Sequence, residues 1–292
     1  MKARLVSGRR ILMFVVVVVC AAGAVSCMRS CGSNSRGDLQ FVLGDRTKKD
    51  SPQTGLVVVV HGWIEKGGGD WPEDMALAIH ERVDANEWRC GYFDWSKEAR
   101  TLNPTEAAGH GRDAAGAELA EEIIKLGGDW RHIHLIGHSC GCWVVSEAAK
   151  ILARKTKADI HLTLLDAYVP AFWQESSLAD VDAADANCWA DHYYTRDYTL
   201  GWTQHDLSFA HNVDITSIDY GLKDHNFPWK WYYGTISGQY PESGFLGKHK
   251  VVSVVDGVEY GFARSREAAG AKGWQQSLKL AAGAKAVKLK KK

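Results

Sequence analysis

Residues 56–60, Leu-Val-Val-Val-Val, form an apolar and mostly β-branched run with no alternating polar positions. A strand of that pattern is buried on both faces, as in a parallel sheet covered by helices. Further strand-like runs cover residues 89–95, 132–136, 160–165 and 190–195. Within residues 111–126, Ala115, Leu119, Ile123 and Leu126 recur at helical spacing, and Gly127-Gly128 follows as a stop signal. Residues 142–153 read as another helix. Strands and helices thus alternate, which predicts an α/β fold with a mostly parallel central sheet flanked by helices. Near the end, residues 251–255 and 258–262 flank Asp256-Gly257, a hairpin signal.

The N-terminal pattern is different. Lys2, Arg4, Arg9 and Arg10 precede an apolar segment, residues 11–25, that closes on small residues. This is the layout of an export signal, and about 15 apolar residues fall short of the ~20 that a spanning helix needs. Ala24-Val25-Ser26-Cys27 resembles a bacterial lipobox, in which Cys27 would be acylated after cleavage. The expected organisation is a signal peptide over residues 1–26, a polar disordered tether over 27–54, one catalytic domain over 55–280 and a basic tail over 281–292. The expected location is the cell envelope, with membrane anchoring through the N-terminus, or the secreted fraction.

Charge narrows the partners. The chain carries 35 basic and 35 acidic residues, and removing the signal leaves 31 basic against 35 acidic. A slightly acidic chain argues against a nucleic-acid partner. Lys285, Lys288, Lys290, Lys291 and Lys292 in the tail read as a solvated patch. The seven cysteines include no Cys-x-x-Cys pair and no metal-spaced Cys/His cluster, so no zinc site, redox motif or disulfide is assigned. Without His-Glu-x-x-His or a Gly-rich phosphate loop, neither metalloprotease nor nucleotide chemistry is supported, and no metal or cofactor is expected.

Gly137-His138-Ser139-Cys140-Gly141 matches G-x-S-x-G, whose small flanking residues make room for a strained strand-to-helix turn bearing a nucleophile. The context fits, because the strand at 132–136 runs into it and a helix runs out. Ser139 is therefore the candidate nucleophile, and serine needs a histidine base and a group that orients that base. An oxyanion hole would use the N–H of Cys140, just after the nucleophile, and a second N–H from the end of the first strand. There, His61-Gly62-Trp63 offers a glycine for close backbone approach and the N–H of Trp63 as donor.

The set resembles the pancreatic lipase and lipoprotein lipase group of α/β-hydrolases over residues 56–236. Val57-Val58-Val59-Val60-His61-Gly62-Trp63 is similar to that family's strand followed by His-Gly-aromatic, and Phe93-Asp94-Trp95 to its Asp-Trp after the next strand. His134-Leu135-Ile136-Gly137-His138-Ser139 is similar to its elbow. Leu164-Leu165-Asp166-Ala167 with Pro170 resembles its acid-bearing segment, and His225 ahead of Trp231, Tyr232 and Tyr233 resembles its histidine before an aromatic helix. Cys140 and Cys142 depart from the family pattern near the acyl pocket. The stretch between Asp214 and His225 is too short for the family's large lid, so the resemblance does not imply activation at a lipid interface.

Twelve histidines compete for the role of base. His225 follows Ser139 and the candidate acid in the order Ser, Asp, His, and Pro228 offers a helix start that would fix its loop; His211 and His205 are held in reserve. For the acid, Asp166 closes the strand at 160–165, while Asp197 closes the next strand-like run and stays open as the alternative. Trp173, Trp202, Trp229 and Trp231 are candidates for an aromatic acyl-binding wall or for core packing. The function expected is a carboxylesterase or lipase acting on small-molecule or lipid esters through a Ser-His-Asp triad and an acyl-enzyme. Thioesterase, acyltransferase or peptidase chemistry on the same triad, and a non-catalytic envelope binding module, are the alternatives.

Overall fold

The computed structural model describes residues 37–42, 53–64, 71–171, 173, 177–181, 188–196, 202–204, 206–216, 225–237 and 277–279. The chain runs β1 (Asp38–Phe41), β2 (Gly55–Val60), α1 (Trp71–His80), β3 (Trp88–Asp94), α2 (Ser96–Ala99), α3 (Pro104–His110), a π-helical turn (Gly111–Ala115), and α4 (Gly116–Lys125). It continues through β4 (His132–His138), α5 (Gly141–Lys155), β5 (Asp159–Leu165), β6 (Cys188–Tyr194), β7 (His211–Asp214), α6 (Phe227–Ser237) and β8 (Ser277–Lys279). The strands make one sheet in the order β1-β3-β2-β4-β5-β6-β7-β8. Only the β1–β3 pairing is antiparallel; every other neighbour is parallel.

β2 shows why an apolar run without alternation was informative. All six of its residues are buried. Leu56, Val58 and Val60 join an apolar layer with Leu119 and Ile123 of α4 and Val144 and Ala148 of α5. Val57 and Val59 join the opposite layer with Met75 and Ile79 of α1 and Trp231 and Tyr232 of α6. Helices therefore cover both faces, and each strand side chain has an apolar destination.

Two expectations need correction. The stretch 27–54, read as a disordered tether, contributes β1, which pairs with β3 from Asp38↔Asp94 to Phe41↔Gly91. An edge strand as short as four residues carries too little periodicity to stand out from a polar linker. The helix expected at 111–126 begins earlier, at Pro104, and reaches residue 125 through the π turn. Its start is set by Asn103, whose side chain accepts the Glu106 N–H at 2.9 Å, with Pro104 in the first turn. The remaining expected strands and the helix at 142–153 are observed with ends shifted by one or two residues. The signal peptide, Cys27, Asp197, His205, the hairpin at 251–262 and the basic tail lie outside the described residues. Among the described residues, no helix is long and apolar enough to cross a membrane.

Candidate active site

Strand order decides where the site lies. From β2 the chain passes through α1 to β3 on one side, then returns through α3 and α4 to β4 on the other. The connections leaving the carboxyl ends of β2 and β4 therefore diverge, which opens a crevice there. His61-Gly62-Trp63 follows β2, and Ser139 follows β4.

Ser139 has φ +53°, in the left-handed region that a residue with a Cβ enters at a cost. Its neighbours over-determine that conformation. The Ser139 N–H donates to Leu165 O at 2.9 Å, and its carbonyl accepts from Cys142 N at 3.1 Å and Tyr168 N at 3.3 Å. The strand–turn–helix context expected of the elbow is thus present. Cys142 beside it is fully buried, and burial pushes its thiol well above the ordinary value, so it is no competing nucleophile.

Asp166 repeats the device one strand over. It follows β5 with φ +47°, its N–H donates to Tyr193 O at 2.8 Å, and its side chain is fully buried. Asp166 Oδ1 accepts the Thr195 N–H at 2.9 Å, and Oδ2 lies 2.6 Å from His225 Nδ1. On the other side of the ring, His225 Nε2 lies 2.8 Å from Ser139 Oγ. With the carboxylate accepting from Nδ1–H, Nε2 is left to accept the serine hydroxyl proton. His225 stands just ahead of α6, whose first turn holds Pro228.

The segments expected to supply the oxyanion donors are Gly62-Trp63 and Cys140. A Cβ built on Gly62 would stand 2.9 Å from Ser139 Cβ and 3.2 Å from His138 O, so the backbone at Gly62 packs closely against Ser139. Cys140 is the N-cap of α5, so its amide stands at the start of the helix that follows Ser139. Trp63 is anchored by its own indole N–H, which donates to Thr101 O at 3.2 Å.

The reserves fall elsewhere. His211 opens β7 opposite Asp191. Trp231 is core, 1% exposed, and Trp229 stacks on Trp71 with ring centroids 4.7 Å apart. Trp173 and Trp202 pack edge-on against Trp143 and Tyr168, and the Tyr168 N–H donates to Ser139 O. Supporting residues that the sequence did not single out include His192, whose Nε2 accepts the Ala167 N–H at 3.3 Å beside Asp166. His61 is another: its Nδ1 lies 2.9 Å from Gly62 O and its Nε2 accepts the Trp95 N–H at 3.3 Å. His61 stood within the His-Gly-aromatic motif, which was its signal; His192, on β6, meets Ala167 only through the fold, so nothing in the sequence marked it. Among the described residues, no group of three or more His, Cys, Asp or Glu is placed to hold a metal ion.

Comparison with known proteins adds an independent line. The family model described as Lipase matches residues 45–205, a span that includes Trp63, Ser139, Cys140 and Asp166 but stops short of His225. Pancreatic triacylglycerol lipase of Myocastor coypus is 33% identical over 133 residues, 44% of this chain and 27% of that protein. Inactive pancreatic lipase-related protein 1 of Homo sapiens is 31% identical over 133 residues, again 44% of this chain and 27% of that protein. The chain thus spans about a quarter of the length of the curated relatives it matches. Among solved structures, an alpha-beta serine hydrolase homologue from Coxiella burnetii aligns with a TM-score of 0.38 and 11% identity, over 69% of this chain and 89% of that one.

Proposed function

The chain belongs to the lipase family, its model matching more than half of the sequence, and on that premise we propose that the protein hydrolyses carboxylic esters with Ser139 as nucleophile, His225 as base and Asp166 as the acid that orients it. Membership alone does not carry this, since one relative is itself described as inactive. The observation that carries it is the continuous path Asp166 Oδ2, His225 Nδ1, His225 Nε2, Ser139 Oγ, with contacts of 2.6 Å and 2.8 Å. Substrates of this reading are small-molecule or lipid esters.

In the first half-reaction Ser139 Oγ attacks the ester carbonyl and its proton passes to His225 Nε2. Negative charge gathers on the carbonyl oxygen, where the N–H groups of Cys140 and Trp63 are the proposed donors. The buried Asp166 carboxylate stabilises the imidazolium and keeps its Nδ1–H oriented. Collapse breaks the bond to the alcohol, which leaves with the proton from His225 and an acyl-Ser139 behind it. Water then attacks the acyl carbon with His225 again as base, and the acid departs.

The test is labelling by a fluorophosphonate probe together with hydrolysis of short- and long-chain p-nitrophenyl esters. Wild type is expected to label and turn over, and Ser139→Ala and His225→Ala to do neither. A folded wild type that does not label would overturn the hydrolase reading and favour a binding module; the ester chain-length profile separates esterase from lipase.

A further inference from the structure

We propose that His138, the residue before the nucleophile, is a positioning residue that holds the catalytic base through its backbone; this rests on the hydrolase reading above. The His138 side chain is enclosed, 1% exposed, at the centre of the site. Its Nε2 lies 3.1 Å from the carbonyl oxygen of His225. A carbonyl can only accept, so Nε2 carries the proton and donates it. The two imidazole centroids are 4.8 Å apart, and the indole of Trp71 packs edge-on against His138 at 5.7 Å. Trp71 in turn stacks on Trp229 of α6, whose Nε1–H donates to Asn226 Oδ1 at 3.3 Å, one residue after the base.

The consequence follows from how His225 is placed. Its side chain bonds to Ser139 and Asp166, but those bonds hold only if the backbone delivers the ring to the crevice. His225 precedes α6 rather than lying within it, so the bond that His138 makes to its carbonyl ties this turn to the elbow. That hold comes from the residue next to the nucleophile. Because His138 and Ser139 are adjacent, one peptide unit fixes the base relative to the nucleophile, and displacements of the two are coupled. A misplacement of about 1 Å between reacting groups costs about a hundredfold in rate.

His138→Phe keeps a planar ring and removes the donor, whereas His138→Gln and His138→Asn keep an N–H within reach of the carbonyl. With p-nitrophenyl acetate, His138→Phe is expected to lower kcat about a hundredfold with KM within twofold of wild type, and one of the two amide variants to recover most of the loss. The second readout needs no turnover: the downfield proton resonance of the His225 Nδ1–H shared with Asp166. It is expected to broaden or vanish in folded His138→Phe and to persist in the amide variants. A resonance unchanged in His138→Phe, or a kcat within twofold of wild type, overturns the proposal. A wild type that neither labels nor turns over, while its resonance depends on His138 as described, overturns the hydrolase reading and leaves the positioning role standing. If His138→Phe does not fold, the amide variants decide: loss of the resonance in both, with the fold intact, overturns the proposal.

Discussion

Ser139 and Asp166 are two non-glycine residues held at positive φ on adjacent strand ends, and the strain at each is tied to a position in the site. For Ser139 the strain is measurable as stability. An L-residue in the left-handed region costs roughly 1–2 kcal/mol that glycine does not incur, against about 0.5–1 kcal/mol that glycine loses in chain entropy. Ser139→Gly is therefore expected to melt at or above Ser139→Ala, the reverse of the order in a helix, and thermal denaturation of the two inactive variants checks it. For Asp166 the measurable property is tautomer. Asparagine can take its place with Thr195 N–H still bonded, but its amide permits the wrong ring nitrogen of His225 to carry the proton. Asp166→Asn is expected to lower kcat by about 10⁴-fold with little change in KM. If instead a variant of Asp197 produces that loss and Asp166→Asn does not, the alternative acid is the right one.

Between β2 and β4 the two strand ends approach closely, which makes Gly62 the sensitive point there. A methyl there would stand 2.9 Å from Ser139 Cβ and 3.2 Å from His138 O, and neither the elbow nor the strand end can yield freely. Gly62→Ala is expected to displace the Trp63 amide from its proposed oxyanion position and to cost at least tenfold in kcat/KM, while thermal stability falls modestly. Kinetics on the folded variant check it; an unchanged kcat/KM removes Trp63 from the oxyanion hole. At this scale the sequence was informative in proportion to burial. The five apolar residues of 56–60 and the elbow pattern at 137–141 were legible because each satisfies a single local rule. β1 and the start of α3 were not, the first because its definition comes from pairing with β3, the second because Asn103-Pro104 announces a helix only if capping is weighed above apolar spacing.

The whole sheet adds a feature that no local rule could reveal, because its parts are far apart in the chain and meet only through strand register. His134, His161 and Trp189 stand opposite one another on β4, β5 and β6, and their rings stack at 3.8 Å and 3.7 Å. Below them the Asp191 carboxylate, 1% exposed, accepts from Thr163 Oγ1 at 2.6 Å, from Tyr193 OH at 2.9 Å and from His161 Nε2 at 3.1 Å. Three donors compensate a buried charge, and removing one partner from such a set is expensive. Burial pushes the pKa of His161 below its ordinary value of 6.5, against the opposing pull of Asp191. A histidine depressed in the fold refuses a proton that the unfolded chain accepts. The contribution of His161 to stability is therefore full above about pH 6.5 and declines as pH falls from there toward its folded pKa, where the difference in proton uptake ends. Urea denaturation of wild type between pH 8 and pH 5 is expected to show that decline. His161→Asn, which keeps an N–H donor for Asp191 but cannot titrate, is expected to be less stable throughout, having lost the stacked ring, yet to lose less further stability over the interval. The difference between the two slopes isolates His161 from the other histidines, and equal slopes would assign the acid sensitivity of the fold to them instead.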